Sequence, residues 1–125
     1  MSKFLPDTNV FSKIFGNDAK VKRFVESLDA VIDVTVYVEC IQGSKSNHEK
    51  RVIEKYLARF PLFPITSESS LRALELIRSY SNSHGLFLPD ALIAATALEN
   101  DLTILTYNIA DFQFIQYLKF FKPTV

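Results

Sequence analysis

Short apolar runs alternate with longer segments of helical periodicity along almost the whole chain. This alternation is typical of parallel strands joined by crossover helices, so it favours the α/β class. The runs predicted to be strands are Lys3–Pro6, Val31–Val34, Leu62–Ile65, Thr103–Leu105 and a fifth near Phe120–Lys122. We therefore predict a single-domain three-layer α/β/α sandwich with a mainly parallel central sheet, spanning residues 1–125.

Helical patterns fill the segments between these strands. One helix is predicted to start near Asn47, with these apolar residues on one face: Val52, Ile53, Tyr56, Leu57 and Phe60. Another is predicted between the Thr66-Ser67-Glu68 cap region and Gly85. The segment ALIAATAL at 91–98 is apolar nearly all round, which indicates a helix that is buried on most sides.

Composition limits where the chain works and what it can bind. Its single cysteine, Cys40, excludes an intrachain disulfide, which suits a reducing cytoplasm. There is no signal-peptide pattern and no apolar run near the roughly 20 residues that cross a bilayer, so we expect no membrane association. Lys plus Arg equals Asp plus Glu at 14 each. Binding to nucleic acid would therefore need local basic patches or bound cations.

Four acidic residues lie beside predicted strand ends or helix starts. Asp7 closes the first strand in FLPDTNVF, and Glu39 lies in about the first turn of a helix that Thr35 is predicted to cap. Asp90 precedes the buried helix, and Asp111 follows the fourth strand by a few residues. Because the carboxyl ends of parallel strands open onto one edge of a sheet, these acids are predicted to converge in one cleft.

Converging carboxylates need a compensating charge, because they repel one another. Mg²⁺ and Mn²⁺ prefer oxygen ligands and can provide it. Acidic clusters that hold such ions serve phosphodiester hydrolysis, in which the metal activates water and neutralises the phosphate. Bound ions would also supply the positive field that the neutral chain lacks.

Each acid taken singly also has an ordinary structural interpretation. Asp7 and Asp90 can be helix N-caps, Asp111 can cap a turn with Asn108, and Glu39 can be a helix-surface residue. The functional interpretation depends on the ordered set of all four.

The chain resembles the PIN-domain ribonucleases, and within that group the small toxins of the VapC type. The stretches that carry the likeness are FLPDTNVFSKIF at 4–15, DVTVYVECIQG at 33–43 and LFLPDALIAATALENDLTILTYNIADF at 86–112. The third stretch is the most specific. It combines an acid that opens an alanine-rich helix, a strand, and a T-x-N-x-x-D-F motif.

This resemblance implies a metal-dependent endoribonuclease. Asp7, Glu39 and Asp90 would be the main Mg²⁺ or Mn²⁺ ligands, and Asp111 would assist a second ion or orient the attacking water. A surrounding layer of polar residues is implied at Thr8, Thr106 and Asn108. The family typically cuts structured RNA such as tRNA or rRNA. Its VapC-type members are silenced by a cognate antitoxin protein and usually form homodimers.

Two residues depart from the family pattern. Pro6 stands where leucine is common, and Tyr107 replaces a commonly basic residue between the Thr and Asn of the third stretch. A proline at the last residue of a strand is tolerable, whereas Tyr107 leaves the choice of substrate more open.

Other functions and surfaces remain open from the sequence. A PIN-like module could bind RNA or a protein without cutting, and a Cys–His nucleophilic pair would involve Cys40. A phosphoacceptor domain would usually need a lysine beside its acidic pocket, and no lysine ends a predicted strand here. A further set of apolar residues could line a groove for an antitoxin helix or pack in the core: Phe11, Ile14, Phe15, Phe24, Val25 and Leu28.

Overall fold

The computed structural model describes residues 3–125; the predicted domain also included Met1 and Ser2, which lie outside the described residues. In chain order the elements are β1 Lys3–Pro6, α1 Thr8–Phe15, α2 Ala19–Glu26, β2 Ile32–Asp33, α3 Val34–Gln42, α4 Asn47–Leu57, β3 Leu62–Phe63, α5 Ser67–His84, α6 Leu88–Glu99, β4 Leu102–Leu105, a 3₁₀ turn Ile109–Asp111 and β5 Lys119–Phe121. No helix within residues 3–125 is both long and apolar enough to span a bilayer.

Parallel strands form the centre of the molecule, as predicted. One sheet has the order β1-β4-β5, and a second pairs β2 with β3. A parallel bridge between Phe4 and Ala30 connects the two, and the Val31 N–H donates to the Phe4 carbonyl at 2.8 Å. The combined order is therefore β3-β2-β1-β4-β5. This order places the end of β1 in the middle of the carboxyl edge of the sheet.

Pro6 is accommodated at the last position of β1. It lies in register with Leu105 of β4. The ladder resumes directly afterwards, because the Asp7 N–H donates to the Leu105 carbonyl at 2.8 Å. The absent N–H of Pro6 therefore does not interrupt the pairing that positions Asp7.

Helix α6 is the buried helix that the ALIAATAL segment predicts. Its fully or almost fully buried residues are Ala91, Ile93, Ala94, Ala95, Thr96 and Ala97. The preceding helix, α5, is capped by Thr66 and ends at Gly85, whose φ of +66° is the left-handed conformation that glycine favours. Both boundaries of α5 agree with the prediction.

The predicted start of α3 is wrong. Asp33, not Thr35, caps this helix, and its Oδ1 accepts the Val36 N–H at 2.9 Å. Asp33 has the extended backbone of an N-cap residue, whereas Thr35 already lies in the first helical turn. Strand β2 is accordingly shorter than Val31–Val34, and Glu39 lies in the second turn of α3 instead of the first.

Smaller differences from the prediction affect the other strands and the start of helix α6. Strand β3 ends at Phe63 instead of Ile65, because Pro64 has no N–H with which to extend a ladder. Strand β4 begins one residue before its predicted start, at Leu102, and β5 begins at Lys119. Helix α6 begins at Leu88, so Asp90 lies within its first turn and does not precede it.

The apolar residues of α1 and α2 divide between the core and the surface. Phe11 and Val25 are completely buried, and Phe11 packs edge-on against Phe60 at a centroid distance of 5.5 Å. Phe15 and Phe24 are only partly buried. Of the two alternatives that the sequence leaves open for this set, core packing is therefore the one observed for Phe11 and Val25.

Candidate active site

Asp7 combines both interpretations that the sequence allows. It caps α1, with Oδ1 accepting the Thr8 N–H at 2.8 Å. Its Oδ2 accepts the Thr106 hydroxyl at 3.0 Å and the Asn9 amide at 3.3 Å. The residue is 7% exposed. These donors fix the orientation of the carboxylate at the centre of the sheet edge.

Asn9 and Thr106 join the start of α1 to the end of β4. The Asn9 amide also donates to Thr106 Oγ1 at 3.1 Å, and its Oδ1 accepts the Tyr107 N–H at 3.2 Å. Asn108 contributes its backbone N–H to Thr106 Oγ1 at 3.0 Å, while its side chain is exposed. Sequence reasoning missed Asn9 as a site residue, because asparagine beside Asp-Thr is also typical of a helix cap.

Glu39, Asp90 and Asp111 approach Asp7 from three other segments. Glu39 Oε1 accepts the Thr8 hydroxyl at 2.7 Å. Asp90 is half-buried in the first turn of α6, after Pro89, and its carboxylate accepts no hydrogen bond within residues 3–125. Asp111 is exposed at the end of the 3₁₀ turn. The structure thus brings acids from four distant parts of the sequence to one region.

Burial and the neighbouring carboxylates raise the pKa of Asp90 and of Asp7. Burial, followed by the charges of Asp7, Asp111 and Glu39, raises the pKa of Asp90 to about 7. Burial also raises the pKa of Asp7; hydrogen bonds from Thr8 and Thr106 oppose this effect, and the charges of Glu39 and Asp111 add to it. The four acids therefore share one electrostatic region.

Basic side chains do not neutralise this region. The ion pairs within residues 3–125 are Arg59–Glu26, Arg72–Glu99 and Lys119–Asp101, and none involves the four acids. In the same residues no three acidic, histidine or cysteine side chains are already arranged around a metal position.

The donor set nevertheless fits a hard divalent cation. Every candidate ligand is a carboxylate oxygen, which Mg²⁺ and Mn²⁺ prefer. Asp90 has both oxygens free of hydrogen bonds within the described residues, and Glu39 has only Oε1 engaged there. Both side chains are partly exposed.

Asp33 is a further buried acid that sequence reasoning missed. It is fully buried, and its Oδ2 has no hydrogen-bond partner among residues 3–125. Burial, then the charges of Glu39 and Asp7, raises its pKa to about 6, against hydrogen bonding from the Val36 N–H and Thr96 hydroxyl. The Thr96 contact does not reach good hydrogen-bond geometry. The signal that could have found Asp33 is a lone Asp inside an apolar run directly before a helix.

Cys40 does not supply a nucleophile. Burial, followed by the charges of Glu39 and Asp7, raises the pKa of its thiol to about 12. The thiol therefore stays protonated near neutral pH, whereas a nucleophilic cysteine needs a lowered pKa. Both histidines, His48 and His84, are exposed.

Residues 4–114 match the PIN domain family, and the chain belongs to that family. Over 89 residues it is 37% identical to Ribonuclease VapC10 of Mycobacterium tuberculosis, and the identity is the same for the proteins of two strains. The aligned part covers 70% of this chain and 66% of that relative, so the chain spans slightly less than two thirds of the relative's length.

Solved structures share the fold. A toxin-antitoxin complex from Klebsiella pneumoniae contains a chain that is 27% identical, with a TM-score of 0.76 and 93% of each chain covered. VapBC2 from Rickettsia felis, bound to a DNA fragment from its promoter, gives a TM-score of 0.81 at 20% identity, covering 97% of this chain and 98% of that one. These likenesses confirm the predicted PIN fold with its mainly parallel sheet.

Proposed function

We propose that the chain is a divalent-metal-dependent endoribonuclease and the toxin of a toxin–antitoxin pair. The observation that carries this proposal is the meeting of four carboxylates at the carboxyl edge of a PIN-family sheet, without a basic partner among residues 3–125. The likeness to Ribonuclease VapC10 supports ribonuclease activity, and the Klebsiella pneumoniae complex supports the toxin role. The substrate is proposed to be tRNA or another structured RNA.

The proposed chemistry gives each acid a separate task. Bound Mg²⁺ or Mn²⁺ supplies positive charge that attracts and neutralises the scissile phosphate. Asp7 is held rigid by its hydrogen bonds, and Thr8 orients Glu39. Asp90, whose carboxylate accepts no hydrogen bond within the described residues, is proposed to bind the ion together with Asp7 and Glu39. Asp111, exposed at the rim, is proposed to orient the attacking water. The water oxygen bonds to phosphorus, the P–O3′ bond breaks and O3′ gains a proton, so the products are a 5′-phosphate and a 3′-hydroxyl.

The proposal is tested by incubating the purified chain with total cellular RNA in Mn²⁺ or Mg²⁺ and then in a chelator. We expect discrete fragments that require both the ion and Asp7, so that Asp7→Asn leaves the RNA intact. Asp29→Asn is a matched control, because Asp29 is exposed and lies before β2, at the opposite edge of the sheet. Cleavage that survives both chelation and Asp7→Asn would contradict the proposal.

A second candidate is a PIN module that binds RNA or a protein without cleaving. It is favoured by the finding that no three potential ligands among residues 3–125 already surround a metal position. The same assay separates the two functions. A binding module should retard RNA in a gel without fragmenting it at any concentration of either ion.

The antitoxin is proposed to occupy a groove between α1, α2 and α4. This groove, of about 350 Å³, is lined in part by Ile14, Phe15, Val52 and Tyr56. Its apolar walls suit the apolar face of a partner helix. Co-expression with the product of a neighbouring small open reading frame tests the partner, and failure of the two chains to co-purify would count against it.

The homodimer is proposed to use a second apolar surface, on α5 and the start of α6. Its exposed residues are Leu71, Leu74, Phe87 and Leu88, with 62%, 45%, 77% and 59% of their surfaces accessible. Exposed apolar residues gathered in this way are typical of interaction sites. Light scattering of the isolated protein tests this, because a mass of 14.2 kDa at all concentrations would indicate a monomer.

A further inference from the structure

Lys13 lies beside the acidic site in an aromatic contact. Its ammonium nitrogen is 4.9 Å from the centroid of the Tyr107 ring, a distance typical of a cation–π interaction. Lys13 is exposed, and within residues 3–125 it forms no ion pair. Its positive charge is therefore available to a ligand.

The backbone connects this contact directly to the proposed catalytic residues. Tyr107 follows Thr106, and its N–H donates to Asn9 Oδ1 at 3.2 Å. Asn9 in turn contacts Asp7, and Lys13 lies four residues after Asn9, on the same face of α1. The backbone of Lys13 is consequently about one helical turn from a residue that touches the central carboxylate.

The charge of Lys13 matters because of the acidic cleft beside it. The chain has no net charge, and its cleft is acidic, so an RNA strand entering the cleft needs cationic contacts along its flanking phosphates. Tyr107 directly follows Thr106, whose hydroxyl donates to Asp7, and Lys13 brings a basic group to the Tyr107 ring from another element. The neighbouring Asp18 carboxylate, which together with burial raises the pKa of Tyr107, is engaged as the cap of α2.

We infer that Lys13, held against the face of Tyr107, binds a backbone phosphate of the RNA strand next to the one in the acidic site. This inference rests on the proposed ribonuclease function and adds a substrate contact to it. Lys13 supplies the charge, and Tyr107 is a positioning residue that restricts where the flexible side chain lies. The contact is to the backbone, so it should be independent of base sequence.

The contact of the Tyr107 hydroxyl can be tested separately from the contact of its ring. The hydroxyl reaches the Val125 carbonyl only at 3.4 Å, whereas the ring makes the contact with Lys13. Tyr107→Phe should therefore preserve RNA binding, and Tyr107→Leu should weaken it about two- to fivefold. A role of Tyr107 limited to the hydroxyl contact would give equally weak binding in both variants, because neither retains the hydroxyl.

The test measures anisotropy of a fluorescein-labelled, mixed-sequence single-stranded RNA in Ca²⁺ over a series of KCl concentrations. For Lys13→Gln we expect about tenfold weaker binding, and a plot of log K against log[KCl] whose slope is shallower by about 0.7, the value for one lost phosphate contact. Lys13→Arg should restore most of the affinity. Lys3→Gln, at the opposite edge of the sheet, is the matched control and should leave the slope unchanged.

The outcomes distinguish this inference from the proposed function. Equal affinity and equal slope for wild type and Lys13→Gln would overturn the phosphate contact, even if the same RNA is cleaved in Mn²⁺. A loss of thermal stability in Lys13→Gln without a change of slope would reduce Lys13 to a favourable charge near the end of α1, and would also overturn the inference. If the wild type neither binds nor cleaves RNA, both proposals are overturned.

Discussion

Replacing Asp90 by Asn is expected to reduce RNA cleavage by more than about 100-fold, since even the outer partners of metal ligands are worth 10- to 100-fold. Within residues 3–125 the Asp90 carboxylate has no hydrogen bonds to lose, so the change removes charge at almost constant shape. Burial and the neighbouring acids already raise the pKa of this residue to about 7. The metal-free variant should therefore be more stable than the wild type at pH 8.

The measurement pairs initial rates of RNA cleavage in Mn²⁺ with urea unfolding in a chelator. Asp29→Asn makes the same chemical change at an exposed position away from the site and should alter neither quantity. Cleavage at the wild-type rate by Asp90→Asn would exclude this carboxylate from the catalytic machinery. Loss of cleavage together with loss of stability would indicate damage to the fold instead.

The second large effect is a pH dependence of the free energy of unfolding, which is expected from Asp33. Its pKa is raised from 3.8 to about 6 in the folded protein, so over that range the folded chain binds more protons than the unfolded chain. The free energy of unfolding should therefore fall as pH rises from about 4 to above 6. The shift corresponds to roughly 3 kcal/mol of stability present at low pH and lost at neutral pH.

Asp33→Asn should remove this contribution. An asparagine can still cap α3, and its amide can donate towards the unpartnered Thr96 hydroxyl. We expect the variant to be more stable than the wild type at pH 7.5, and the gap to narrow as the pH approaches 4. Urea unfolding of both proteins in a chelator, repeated between pH 4 and pH 7.5, measures this difference in the free energy of unfolding. A gap of constant size across this range would show that Asp33 does not titrate as described.

The positions of three of the four acids could be predicted because they depend on simple rules. A parallel sheet has one carboxyl edge, and Asp7, Asp90 and Asp111 all lie within a few residues of a strand end or helix start. The burial of α6 follows from a segment without a polar face. Neither inference requires knowledge of which strands are neighbours.

Other features depend on contacts that local sequence does not encode. The bonds from Asn9 to Thr106 and Tyr107 exist only because β1 lies beside β4, nearly a hundred residues later in the chain. Asp33 lies inside the run that predicts a strand at Val31–Val34. Its role as a helix cap does not follow from that run, because aspartate occurs both at strand ends and at helix caps. Its burial depends on α6 packing nearby.

Titration calorimetry with Mn²⁺ on the purified chain tests most directly whether these carboxylates form one divalent-ion site. We expect binding by the wild type, clearly weaker binding by Asp7→Asn, Glu39→Gln and Asp90→Asn, a smaller loss for Asp111→Asn, and no change for Asp29→Asn. Absence of Mn²⁺ binding by the wild type, or equal affinity in all of these variants, would contradict the proposed site.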